Sequence, residues 1–175
     1  MNMKKKVLGA LLAGGVSILS IAGTVNAETS VSTPSSKLQL KEEVNLIKNG
    51  NFDEGNKYWS TTNGFPPYAG NGYLIGDNSF IVISDNFEVK PNTSYKLEFD
   101  LRKGGSATSQ PVVNLLSNMS SVFGTGRITS PQDWKTYSYI FTTDSRTTKL
   151  QFQMHEKVTG AKFNLDNVKL VEIIK

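Results

Sequence analysis

The sequence predicts an all-β chain folded as a sandwich or barrel of antiparallel strands. Three observations carry this: stretches of strict period-two alternation, turn residues between them at intervals of roughly 8–12 residues, and no segment with a convincing helical period. Successive side chains of a strand point to opposite faces, so alternating apolar and polar residues mark a sheet with one buried side.

Residues 1–27 read as a secretory signal peptide rather than as part of that fold. Met1-Asn2-Met3-Lys4-Lys5-Lys6 is a basic start, Val7 to Val25 is an apolar run, and Val25-Asn26-Ala27 is a small-x-small cleavage site. An uncleaved anchor is the alternative, since 19 apolar residues nearly span a bilayer. Four glycines, two serines and the Val-Asn-Ala ending favour cleavage after Ala27, and a secreted chain without cysteine suits a Gram-positive exoprotein. Glu28 to Ser36 is a polar Ser/Thr/Pro stretch, and Lys37 to Val44 fits a short strand or a frayed helical turn equally well; residues 28–44 form a flexible lead-in.

The domain then runs over residues 45–175. Tyr95, Leu97, Phe99 and Leu101 alternate with Lys96, Glu98, Asp100 and Arg102. Tyr137, Tyr139 and Phe141 alternate with Thr136, Ser138 and Ile140, and Leu150, Phe152 and Met154 with Lys149, Gln151, Gln153 and His155. Phe163, Leu165, Val168 and Leu170 make a last strand if one residue is bulged at Asp166-Asn167. The separators are turn chemistry, among them Asn49-Gly50, Gly70-Asn71-Gly72, Lys90-Pro91-Asn92 and Gly124-Thr125-Gly126. Phe52, Trp59 and Trp134 are expected to plug the core.

Composition narrows the function. Without residues 1–27 the chain has 148 residues, one domain with a sizeable core, expected to be monomeric. Lys4, Lys5 and Lys6 supply three of the four net positive charges, which leaves +1. Near-neutrality without a basic block argues against nucleic acid and, after cleavage, against a membrane surface as partner. Zero cysteines exclude disulfides, thiol nucleophiles and thiolate metal sites.

Four stretches, taken in order, carry a resemblance. They are Asn45-Leu-Ile-Lys-Asn-Gly-Asn-Phe-Asp-Glu-Gly55 followed by Tyr58-Trp59, Val89-Lys-Pro-Asn-Thr-Ser-Tyr-Lys-Leu-Glu-Phe-Asp100, Trp134-Lys-Thr-Tyr-Ser-Tyr-Ile-Phe-Thr-Thr143 and Asn164-Leu-Asp-Asn-Val-Lys-Leu170. Together they resemble the carbohydrate-binding modules of families 4, 9 and 22, the type named after a bacterial endoglucanase C. The chain departs from their pattern at Asn167, where a second Asp is usual. The resemblance implies a galactose-binding-like jelly-roll β-sandwich that binds oligo- or polysaccharide without catalysis. It also implies a structural calcium tying the first strand to the last through the backbone oxygens of Asn51 and of Gly72 or a neighbour, and the carboxylates of Asp53 and Asp166. Calcium takes such hard oxygen ligands from carboxylates and irregular backbone.

Sugar recognition needs aromatic faces for the C–H side of a pyranose and planar polar groups for its hydroxyls. Period two puts Gln151, Gln153 and His155 on one face of a strand, and Asn114 on a matching polar face. The resemblance aligns Gln153 with a glycan-contacting glutamine and Phe123 with a cleft tyrosine. Tyr68 is the candidate for a second aromatic platform, and Asp85 and Asn86, between two strands, are within reach of the same cleft. Two other readings stand beside this one. A small jelly-roll glycosidase needs two carboxylates across a cleft, about 5–5.5 Å apart if retaining; Glu98, Asp100 and Glu156 are the acids in question. An attachment module of a secreted toxin-like system, recognising a cell-surface glycan, would present the same features.

Overall fold

The computed structural model describes residues 43–64 and 66–174. The expectations for the signal peptide and for most of the lead-in lie outside the described residues. Among those described there is no helix. Eleven strands follow in order: β1 (Trp59–Thr61), β2 (Tyr68–Gly70), β3 (Tyr73–Asp77), β4 (Ile81–Ser84), β5 (Phe87–Glu88), β6 (Ser94–Lys103), β7 (Pro111–Ser117), β8 (Ser120–Gly124), β9 (Lys135–Thr142), β10 (Lys149–Glu156) and β11 (Lys162–Glu172).

They form two sheets. The first has the order β1-β4-β10-β7-β8, with β5 continuing beside β10 where β4 leaves it; the second has the order β2-β3-β11-β6-β9. All pairings are antiparallel. The alternating strands do what their pattern requires: Leu150, Phe152 and Met154 on β10, and Tyr95, Leu97, Phe99 and Leu101 on β6, are buried between the sheets. An aromatic chain crosses that core. Phe52 meets Trp59 at 4.9 Å, Trp59 meets Phe152 edge-on at 5.7 Å, and Phe152 meets Phe99 edge-on at 6.3 Å. Such offset and edge contacts add to the area that the rings remove from water.

The Asn-Gly motif at the start of the domain is a strap across the last strand. Asn45 donates its amide to the Val168 carbonyl (3.0 Å) and accepts from the Leu170 N–H (2.9 Å); Val168 N–H bonds the Gly50 carbonyl at 2.8 Å. Asn49, at φ 47°, holds the turn by donating to the carbonyls of Gly55 and Lys57, and its own carbonyl accepts from the Trp59 indole at 3.1 Å. Asn tolerates this left-handed conformation, in which its amide bonds local backbone. The expected bulge is present: the pairing of β11 with β6 shifts between Asp166 and Lys169, with Asn167 at φ 49°. Both sides of the bulge then keep their apolar residues in the core, since Leu165 and Val168 are buried.

Candidate functional site

The outer face of the first sheet gathers the predicted amides. One register row runs across five of its six strands: Ser60 of β1, Ile83 of β4, Gln153 of β10, Asn114 of β7 and Gly124 of β8. One step along, Ile81, His155 and Val112 form a second row; on the other side Gln151 lies opposite Leu116. Gln153 donates to Gln151 Oε1 at 3.0 Å, which fixes both amides in one orientation along the strand. Gly124 leaves room for Asn114, because a Cβ there would stand 2.8 Å from the Asn114 amide oxygen. Burial lowers the His155 pKa, and the neighbouring Lys157 lowers it further against a smaller opposing effect of Glu156. The imidazole is therefore neutral at neutral pH. Lys157 Nζ lies 2.8 Å from Nδ1, which makes Nδ1 the acceptor and leaves the Nε2–H as a donor. The face thus offers amide and imidazole groups between half-exposed aliphatic side chains: Ile81, Ile83, Val112 and Leu116. The sequence reading had not counted these aliphatics, although they share the period of the amides.

Asp85 and Asn86 border this face. The break between β4 and β5 places the two residues opposite Gln151, and they line a cavity of about 240 Å³ with Leu46, Lys48, Tyr58 and Glu88. Ser84 holds the break open by accepting from the Phe152 N–H at 3.0 Å and donating to the Asp85 carbonyl at 2.8 Å.

Three aromatic expectations are corrected. Phe123 does not join the amides: it pairs with the buried Leu115 and turns inward, its ring 5.4 Å from Phe141 and 5.6 Å from Tyr139. A register shift between Leu115 and Leu116 puts it there, and a one-residue shift moves a side chain to the other face. Tyr68 is exposed, but it belongs to β2 of the second sheet, so it is no platform for the Gln153 row. Trp134 is not core; it stays 39% exposed on the outer face of the second sheet.

The acids do not form a catalytic pair across a cleft. Glu156 is buried and fully engaged, accepting from the Ser109 hydroxyl and from the backbone N–H groups of Gln110, Lys157 and Val158. Glu98 and Asp100 lie in the other sheet. Glu98 pairs with Lys96 Nζ at 3.1 Å, and Asp100 accepts from Thr136 and from the Asn167 amide.

Of the residues implied for calcium, Asn51, Asp53 and Gly72 are neighbours, and Asp53 is near enough to Asp166 to act on its ionisation. The Asp53 carboxylate accepts from the Asn51 amide and lies beside Gly72, where a Cβ would be 3.9 Å from its Oδ1. Burial raises the Asp166 pKa, and the carboxylates of Asp100 and Asp53 raise it further, against one backbone hydrogen bond from Asn167. Among the described residues no three acidic or imidazole groups come close enough to hold a metal by themselves. An ion at Asp53 and Asp166 would need backbone carbonyls as well, and those of Asn51 and Gly72 are the ones the resemblance implies. In donor type the residues fit a hard divalent cation.

Comparison with known proteins yields fold neighbours only. No protein-family model matches the chain, and no curated protein sequence does either. Among solved structures, a family 4 carbohydrate-binding module superposes with a TM-score of 0.58 at 17% identity, over 73% of this chain and 99% of that one. The second N-terminal cellulose-binding domain of Cellulomonas fimi β-1,4-glucanase C gives 0.57 at 20% identity, over 78% and 99%. The CBM22-1 xylan-binding domain of Paenibacillus barcinonensis Xyn10C gives 0.56 at 14%, over 77% and 99%. The fold is the jelly-roll sandwich of carbohydrate-binding modules. At such identities the likeness is one of fold, and the site rests on this chain's own geometry.

Proposed function

We propose that this is an exported, non-catalytic carbohydrate-binding protein that holds an oligo- or polysaccharide on the outer face of its first sheet. The observation that supports it most is the block of Asn114, Gln151, Gln153 and His155 on two adjacent strands, bordered by Ile81, Ile83, Val112 and Leu116. Amides and an imidazole both donate and accept toward hydroxyls, while the aliphatic flanks desolvate the sugar's C–H surface. No aromatic ring lies in these rows, so the contacts are expected to be mainly polar. Export rests on the leader at residues 1–27.

The test is a screen of the purified protein against a glycan array and insoluble polysaccharides, followed by variants on the best ligand. Gln153→Ala should weaken binding by about 0.5–1.5 kcal/mol, the net worth of a hydrogen bond, with an unchanged melting curve. Phe123→Ala should behave in the opposite way, lowering stability by about 2–4 kcal/mol through a cavity beneath β8 while altering affinity little. No reducing sugar should be released. Full-strength binding in a Gln153→Ala/Asn114→Ala double variant would remove the site from this face.

Calcium is the second part of the reading. An ion bridging Asp53 and Asp166 would bind the folded chain only, and stability would rise as RT ln(1 + [Ca]/Kd), about 2.7 kcal/mol at a hundredfold excess over Kd. EDTA should then lower the melting temperature of the wild type and leave Asp166→Ala unaffected. A wild-type melt indifferent to both calcium and EDTA would exclude the site.

A further inference from the structure

The outer face of the second sheet carries an aromatic strip with a cation at its centre. One register row there reads Tyr68 of β2, Ile75 of β3, Asn164 of β11 and Arg102 of β6, and the ring of Trp134, the residue before β9, lies against Arg102. Tyr73, two residues before Ile75 on the same face of β3, pairs with Gly70 of β2. The Tyr73 and Trp134 rings meet edge to face at 5.7 Å. The Arg102 guanidinium lies against both, 4.5 Å from the Trp134 centroid and 5.2 Å from that of Tyr73. In the amide orientation that satisfies both its ends, the buried Asn164 accepts from Arg102 Nε at 3.1 Å. Tyr68 extends the strip at the sheet edge, 65% exposed, its ring lying over Gly70.

Arg102 is thus clamped but not neutralised. Its Nε is used by Asn164 and its faces by two rings. Among the described residues no carboxylate lies within ion-pair distance of it. Every other charged side chain of this face for which a contact is given has a polar partner: Glu98 has Lys96, Lys169 has Glu43, and Asp100 has Thr136 and Asn167. A planar guanidinium held by its Nε and its faces keeps the terminal N–H groups free, in the fork geometry that matches a carboxylate. The exposed rings of Trp134 and Tyr68 lie on either side of it. From β2 to β9 the strip crosses four strand spacings, about 19 Å, a length suited to an oligosaccharide rather than a single sugar.

We infer that this face is a second saccharide site, separate from the Gln153 face, and that it takes a carboxylate-bearing glycan of the uronic-acid class. The carboxylate bonds the Arg102 terminal N–H groups, and the pyranose faces lie on Trp134 and Tyr68. The site does not depend on the first: it shares no residue with it and occupies the opposite layer of the sandwich.

The experiment is calorimetric titration of the purified protein with trigalacturonate, its methyl ester and neutral β-1,4-galactotriose. EDTA is present throughout, so that no ion bridges the probe to Asp53 or Asp166. Trigalacturonate should bind about tenfold or more tighter than its ester, the advantage being reduced by salt, as expected for a charge-assisted contact. Arg102→Gln should abolish the preference for the acid over the ester. Trp134→Ala and the more exposed Tyr68→Ala should weaken both, and Gln153→Ala should change neither by more than about twofold. If Trp134→Ala fails to fold, Tyr68→Ala decides, since a side chain that exposed carries little of the core. Equal affinity for acid and ester, or an acid preference that survives Arg102→Gln, overturns the proposal. Loss of all binding in Gln153→Ala overturns it too, by assigning the ligand to the first sheet.

Discussion

Glu156→Ala is expected to destabilise the protein by about 3 kcal/mol, measured as a fall in the urea midpoint at an unchanged slope. The carboxylate is 1% exposed and accepts from four donors. Three are backbone N–H groups: that of Gln110 before β7, and those of Lys157 and Val158 in the turn after β10, each at 2.9 Å. The fourth is the hydroxyl of Ser109, which is itself buried and 3.0 Å from the Ser130 hydroxyl. Truncation removes the acceptor of all four donors: the buried Ser109 hydroxyl can turn only to Ser130, whose own proton then loses Ser109 as acceptor, and the Gln110, Lys157 and Val158 amides are left to whatever water enters. A buried donor left unmade costs about 1–3 kcal/mol, and those near the surface cost less, so the total stays well below four such penalties. Glu156→Gln keeps one acceptor oxygen and should lose about half as much. The variants also test the glycosidase alternative, because Glu156 was one of its acids. Glycan binding that persists in folded Glu156→Gln, with no sugar released by either protein, fits a structural carboxylate. Hydrolysis by the wild type that is lost in Glu156→Gln at full stability would reinstate the enzyme.

Glu156 shows what was legible in the sequence and passed over. Period two put Leu150, Phe152 and Met154 inside, and residue 156 has the same parity. Trp134 is the converse. It shares parity with the outward Thr136, Ser138 and Ile140, so the strand pattern places it outside, against the general preference of large aromatics for cores. The strands themselves, the bulge at Asn167 and the common face of Gln151, Gln153 and His155 were readable because each rests on local alternation. Phe123 and Tyr68 were not. The side of the sheet that Phe123 takes depends on the register shift between β7 and β8, and the sheet that receives Tyr68 depends on topology. Neither is a local property of the chain. The contact of the Arg102 guanidinium with the Trp134 ring likewise depends on how β6 and β9 pair, which no local pattern shows.

Gly50→Ala should have an effect at least as large, although the residue touches no ligand and its φ is not in the left-handed region. The strap formed by Asn45 to Asn51 crosses β11 at its bulge with backbone against backbone. A Cβ on Gly50 would overlap the Val168 carbonyl oxygen and stand 2.9 Å from its carbon. A flexible side chain could move aside, but a carbonyl of β11 is held from both sides. The Asn45 amide donates to that oxygen at 3.0 Å, and the Val168 N–H bonds the Gly50 carbonyl at 2.8 Å. Relief must therefore lift the strap from the strand, and this breaks both bonds and loosens Ile47 and Phe52, which are 2% exposed beneath it. Overpacking costs about 1–3 kcal/mol and a lost hydrogen bond about 1, which together give an expected loss of about 3–4 kcal/mol. The strap ends at Asn51 and leads directly into Asp53, so its displacement is expected to move Asp53 away from Asp166. In Gly50→Ala the calcium-dependent rise in melting temperature proposed above should shrink along with the stability, whereas in Glu156→Ala, whose carboxylate bonds none of the residues implied for the ion, it should persist. Stability within 1 kcal/mol of wild type would mean that strap and bulge separate without strain, and the close approach at Gly50 would then not explain why glycine stands there.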